Sequence, residues 1–400
     1  MRISFGRLIQ AMSLTLLVGS VVAGCGSGGG SGGGSGGSGA GTGGSGSGGT
    51  TGSGGATGSG GSGGTTGSGG ATTGTGGASA DGGTGGAGID GGGSGGNPSG
   101  LHGGTSGKYI CAAGVNYAGM TPAMSGAFTM STGVNTNNGE GPIWIGPLNA
   151  LFYTSKTANE AIRQIWKLAP PSPAQVSVKT GVGNNGMTLD PDDKIVSADH
   201  QLSAIVRIDP ATGNTMGVIA DQYMGNYFQS PNDVIVRGDG NIYFSDPAYF
   251  ATQGKRPKTA NTAFYRISPA GQVSVVEATG TKDPNGVALS PDDNTLYTVV
   301  TADAQVRKFA LNADGSINGG GMNFAQTGST PDGMCVDCAG NLYVSTTGGV
   351  QVFSPAGQMV ATIGGGKAIN CSFGGADHKT LFITSDTHVR WGTMNIPGLP

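Results

Sequence analysis

From residue 108 onward the chain is a succession of short apolar runs broken by polar turns. Runs such as NIYFSD, TLYTVV, NLYVST and TLFITS mix β-branched and aromatic residues with small polar ones, the composition that suits a pleated, half-buried surface. The segments between runs read DPDD at 190–193, GDGN at 238–241, SPDD at 290–293, CAGN at 338–341 and ADHK at 376–379. They are dense in Asp, Gly, Pro and Asn, which supply the dihedrals of tight hairpins. A third run follows in most repeats: AIVRIDP, AFYRISP, QVRKFAL, GVQVFSP and HVRWGTM. No stretch holds a sustained helical period, so the pattern predicts antiparallel strands throughout.

The pattern also repeats at long range. A small acidic or amide residue opens an apolar run at Glu140, Asn185, Asn232, Asn285, Asp332 and Asn370, in steps of 45, 47, 53, 47 and 38 residues. A period of this length predicts an all-β, six-bladed β-propeller of four-stranded antiparallel blades. A β-sandwich, the competing all-β architecture, would not place one residue type at six equivalent points. Ring closure requires a strand from elsewhere. Part of residues 108–130 is expected to add an outer strand to the last blade, with Cys111 fastening it there.

Composition divides the chain into three parts. Residues 1–25 read as a bacterial lipoprotein signal: Arg2 and Arg7 precede an apolar stretch from Ala11 to Val22, and Val22-Ala23-Gly24-Cys25 resembles a lipobox. The stretch is too short for a spanning helix, and Cys25 would carry the lipid. Residues 26–107 hold 44 of the 83 glycines and only Asp81 and Asp90 as charges, which leaves no apolar surface to bury. This segment reads as a disordered Gly/Ser/Thr-rich linker with an r.m.s. span of about 50 Å. It lacks the strict three-residue period of collagen. Residues 108–400 are enough for one large domain. The expectation is an exported cell-envelope lipoprotein held to a membrane through Cys25. Gly26 is not an Asp-type retention signal, which favours the outer membrane or the cell surface.

The formal charge of −3, with Lys and Arg scattered, gives no basic stripe and argues against a nucleic-acid partner. A monomer acting on a small molecule is expected. An exported chain meets an oxidising compartment, so Cys111, Cys335, Cys338 and Cys371 are expected to form two disulfides. Three pairings are open. Cys335 and Cys338 have CxxC spacing, but no second CxxC or His pair accompanies them, which argues against a zinc site.

The innermost strand of a propeller blade runs along the central channel, and its first residue sits at one mouth. Glu140, Asn232, Asn285 and Asp332 would offer carboxylate and amide oxygens there, the ligands that hard cations prefer. Calcium fits first; magnesium, manganese and zinc are also compatible. Taken singly, an Asn or Asp before Gly is an ordinary turn residue. The shared register across blades is what makes these positions a candidate metal site.

The motifs GEGPIW, SPNDVIV followed by GNIYFSDPAY, DPNGVALSPDDNTLY and TPDGMCVDCAGNLYVS, in this order, resemble the gluconolactonase family, which includes regucalcin and luciferin-regenerating enzyme. The likeness runs from Glu140 to the C-terminus. It implies one divalent metal at the channel mouth held by Glu140, Asn232, Asn285 and Asp332, with Asp332 also the general base, and hydrolysis of a sugar lactone or similar ester. Asp199-His200 stands where the family often has Glu-His, and Asp246 and Tyr249 lie in SDPAY, which resembles the family's TDPPY. His200, Asp246 and Tyr249 are therefore candidate substrate contacts. The alternatives are a non-catalytic, surface-tethered binding module with a structural metal, and a metal-free propeller of the strictosidine-synthase type, which would not need this set of oxygens.

Overall fold

The computed structural model describes residues 111–399 except 113, 133–136, 158–161 and 253. The signal segment, the lipobox at Cys25 and the linker at 26–107 lie outside the described residues.

Six four-stranded antiparallel sheets follow one another along the chain. Their first strands are Glu140–Ile145, Asn184–Leu189, Val234–Val236, Pro284–Leu289, Pro331–Val336 and Asn370–Gly374. In blades 1 to 5 the chain fills one blade from its first strand to its fourth before starting the next. Blade 6 takes its fourth strand, Met124–Met130, from the beginning of the domain, paired with Val389–Met394. This closes the ring as expected. Among the described residues there is no α-helix, and a two-stranded hairpin, Gln222–Tyr223 with Asn226–Tyr227, is the one sheet outside the blades.

Burial explains the order of strands within a blade. The first strands of blades 1, 2 and 4 are buried along their whole length, while fourth strands such as Thr215–Ala220 are largely exposed. Apolar residues on facing sheets fill the gaps between blades. Between blades 1 and 6, where the ring closes, Trp144 stacks on Phe382 at 5.7 Å.

In four of the six blades a glycine follows the residue at the mouth: Gly141, Gly186, Gly286 and Gly333. They stand within the first strands, and only Gly141, at φ +50°, has a left-handed backbone. Their function is close approach. A β-carbon on Gly141 would lie 2.6 Å from the carbonyl oxygen of Asn185 in the next blade, and one on Gly186 would lie 2.6 Å from the Asp233 carboxylate. One on Gly286 would strike the Asp332 carbonyl, and one on Gly333 the Asn370 side chain. The amides of Gly186 and Gly333 donate 2.8 Å hydrogen bonds to Asn232 O and Ile369 O of the neighbouring blade. In the same four blades the register with the second strand shifts at this point, between Glu140 and Ile143, Asn184 and Met187, Pro284 and Val287, and Pro331 and Met334. Such irregularities re-aim side chains. The Asn-Gly and Asp-Gly pairs are therefore strand positions, although their composition is that of turns.

The cysteines pair in one of the ways left open. Cys111 is bonded to Cys338, with 5.3 Å between their Cα atoms. Cys338 lies in the turn after Pro331–Val336, so the bond fastens the start of the domain to blade 5, one blade away from the expected position. That turn is at the end of the channel opposite Asp332, and the C-terminal Pro397 carbonyl accepts the Cys338 amide there at 2.8 Å. Cys335 and Cys371 are buried thiols with sulfurs 2.7 Å apart, so the structure contains one of the two expected disulfides.

Two outcomes are expected. Gly286→Ala forces backbone apart between blades 4 and 5 and should cost about 1–3 kcal/mol, read as a lower midpoint in urea. Cys111→Ser should cost about 2–4 kcal/mol, and dithiothreitol should lower the melting temperature of the parent but not that of the variant.

Candidate active site and metal centre

The six mouth residues meet around one opening, and side-chain hydrogen bonds join five of them in two groups. Asn370 Nδ2 donates to Glu140 Oε2 at 3.3 Å. Asn185 Nδ2 donates to Asn232 Oδ1 and, at 3.1 Å, to Asn232 O. Asn232 Nδ2 donates to Asn285 Oδ1 at 2.8 Å. Asn285 Nδ2 in turn donates to Thr301 Oγ1 at 2.9 Å and reaches the Tyr249 hydroxyl at 3.4 Å. The Asn232 and Asn285 amides are thus each oriented by the residue one blade earlier, and each of their oxygens keeps a second lone pair.

Above the ring lies a cavity of about 420 Å³, in the usual range for small-molecule sites. Glu140, Asn232, Asn285 and Asp332 line it, together with His200, Tyr249, Phe250, Thr301 and the cations Lys156, Arg163 and Lys367. All four residues expected to hold a metal therefore share one cavity. Asn185 and Asn370 belong to these hydrogen-bonded groups but do not line that cavity.

The two carboxyl groups are electrostatically uncomfortable. Burial pushes Glu140 up, against the opposing pull of Arg163 and Lys156. Burial pushes Asp332 well above the usual carboxylate range, and the charges of Glu140 and Asp233 add to this, while hydrogen bonding from Asn285 offsets part of it. A divalent cation would relieve both. The donor set of two carboxylates and two amide oxygens, with no thiol or imidazole among the four, fits a hard, oxygen-seeking ion.

The candidate substrate contacts separate. His200 is fully buried, lines the cavity and packs its ring 4.6 Å from Phe250. Burial lowers its pKa well below the ordinary value, with Arg163 and Lys156 adding to the effect, so the ring is neutral near pH 7. Among the described residues neither nitrogen makes a well-formed hydrogen bond, although the Asn232 amide is close enough to favour the charged form. Tyr249 lines the same cavity. Asp246 stands behind the wall. Its two oxygens accept the backbone amides of Gln229 and Ser230 at 2.8 Å each, and it holds in place the segment that carries Tyr249 and Phe250. Asp199 likewise serves its turn, accepting the Leu202 amide at 2.8 Å and the Asn184 side chain at 3.3 Å.

Several residues of this region carry no signal in the repeat. Lys156 and Arg163 end and begin strands of blade 1, and Lys367 lies in the connection to blade 6. Asp233 occupies the position that is Gly in four other blades and sits inside the channel below the ring. Burial and Glu140 push its pKa to about 7. Its carboxylate accepts the amides of Val234 at 3.1 Å and Val287 at 3.3 Å. The break in the Asn-Gly pattern was the available sign of it.

The family model described as "SMP-30/Gluconolactonase/LRE-like region" matches residues 138–387. A gluconolactonase from Zymomonas mobilis subsp. mobilis is 33% identical over 277 residues, covering 62% of this chain and 76% of that protein. The solved structure of a gluconolactonase from Xanthomonas campestris superposes with a TM-score of 0.59 at 27% identity, over 70% of this chain and 95% of that one. Regucalcin from Agrobacterium tumefaciens, described as a calcium-binding protein, shares the fold with a TM-score of 0.54 at 21% identity, over 66% of this chain and 92% of that one. The matched region contains the whole ring from Glu140 to Asn370, and on this ground the chain belongs to the SMP-30/gluconolactonase/LRE-like family.

Proposed function

We propose that the protein is a metal-dependent lactonase that opens a sugar lactone or similar cyclic ester. The observation that carries this reading is the meeting of Glu140, Asn232, Asn285 and Asp332 in one cavity large enough for a small molecule. Membership of the family and the likeness to two gluconolactonases support it.

Glu140, Asn232, Asn285 and Asp332 would hold the ion, calcium first among the candidates. When bound, a divalent cation supplies Lewis acidity to a carbonyl oxygen. Asp332 is the proposed general base, taking a proton from the attacking water, and the Asn285 amide orients it. Asn185 and Asn370 hold the ring of amides and carboxylates in register. His200, neutral and with unused nitrogens, is placed to hydrogen-bond a substrate oxygen. Phe250 and Tyr249 form an apolar wall that limits water around the reacting group. For the whole chain we propose export and lipid anchoring through Cys25, with residues 26–107 as the tether.

The decisive experiment is gluconolactone hydrolysis by the mature protein, before and after chelation. Activity should vanish with chelator and return with calcium. Absence of turnover with any divalent ion, over a panel of lactones, would leave a binding module instead. Asp332→Ala should lower kcat at least ~100-fold, the scale of losing a general base; parent-like hydrolysis would remove Asp332 from that role. Asn285→Ala should weaken calcium binding about tenfold or more in an equilibrium titration, equivalent to about 1.4 kcal/mol.

A further inference from the structure

The cavity has two unlike sides. Tyr249 and Phe250, from the segment after the second strand of blade 3, form an aromatic wall. Apart from Glu140 and Asp332, every charged group that lines the cavity is basic: Lys156 and Arg163 from blade 1, and Lys367 from the connection between blades 5 and 6. In a six-bladed ring, blade 6 lies across the channel from blade 3, and the cations flank blade 6, Lys367 before it and Lys156 and Arg163 after it. The whole chain carries a formal charge of −3, and this concentration of positive charge is a local exception.

The three cations differ in what holds them. Arg163 is buried, and its guanidinium donates to the Asn138 carbonyl and side-chain oxygens, both at 3.4 Å, which fixes it as part of the wall. Lys367 pairs at 3.0 Å with Asp386, with both side chains about half exposed. Lys156 is partly buried and makes no ion pair among the described residues. Its nearby opposite charge is Glu140. If Glu140 and Asp332 hold a divalent cation, as the proposed function has it, their two charges are spent on the ion and Lys156 is left facing the substrate without an ion-pair partner among the described residues. A partly desolvated lysine in such a place attracts an anion brought by the ligand.

We infer that the cavity selects lactones that carry an ionised acid group, carboxylate or phosphate, away from the ring carbonyl. Lys156 receives the acid group, and Lys367 adds to the field. The aromatic wall then takes the less polar face of the ring, so that charge on one side and apolar surface on the other fix its orientation. This inference rests on the lactonase reading but can fail separately from it.

The test compares kcat/KM of the calcium-loaded mature protein on gluconolactone, which is neutral, with glucarolactone, which bears a carboxylate, and phosphogluconolactone, which bears a phosphate. At least one acid-bearing lactone should be favoured tenfold or more, and which one separates carboxylate from phosphate. Raising the ionic strength should shrink the preference. Lys156→Met should reduce the ratio at least tenfold, Lys367→Met should reduce it by less, and Lys156→Arg should restore most of it. A ratio near one in the parent, or a ratio that neither methionine variant changes, would overturn the inference. Calorimetry with gluconate and glucarate adds a readout that needs no turnover. Tighter glucarate binding that Lys156→Met abolishes supports the acid-group site even if no lactone is hydrolysed, in which case the lactonase reading falls alone. Equal binding of the two sugar acids by a protein that hydrolyses neutral lactones overturns the inference and leaves that reading standing.

Discussion

Neighbouring first strands in this propeller come closer than a β-carbon allows. At Gly141, Gly186, Gly286 and Gly333 the next blade occupies the space a side chain would need. The rest of the site depends on this contact. At the seam of blades 2 and 3 it brings Asn185 within direct reach of Asn232, which bonds on to Asn285. The register with the second strand shifts at the same residues. With wider spacing the amides would be solvated singly, and two carboxylates would not be drawn into one cavity.

Convergence has an electrostatic cost. Glu140 and Asp332 are removed from water, and Asp332 also feels Glu140 and Asp233 as like charges. The surroundings answer in part: Asn370 donates to Glu140, Asn285 acts on Asp332, and Arg163 and Lys156 stand near Glu140. A buried charge that is only partly compensated is a poor contribution to stability. It is a reasonable preparation for a cation, whose binding energy would include the relief of that repulsion.

Much of this was legible in the sequence, and the exceptions have physical reasons. Strands, blade number and the borrowed strand Met124–Met130 follow from local composition and a long period, both one-dimensional. The mouth residues were legible because they recur in register. Their glycine neighbours were visible but read as turns, since composition cannot tell a residue that needs an unusual dihedral from one that needs empty space beside it. Asp246 carried the right motif, yet its carboxylate is consumed by two backbone amides. Lys156, Arg163 and Lys367 share no position in the repeat and come together only when the ring closes. The choice of Cys338 as partner for Cys111 depends on which turn the incoming chain crosses, which no spacing encodes.

That last bond also decides how the domain responds to tension. The strand that closes the ring, Met124–Met130, is the part of the fold nearest the upstream chain, and an edge strand drawn from one end peels away one hydrogen bond at a time. Cys111 precedes it and is locked to Cys338 in a blade 5 turn. A pull on the residues before Cys111 is therefore delivered to blade 5, on the face away from the cavity, and bypasses the closing strand. Tension applied from the N-terminal side would thus enter the ring at the end of the channel away from the mouth, without unzipping the closing strand.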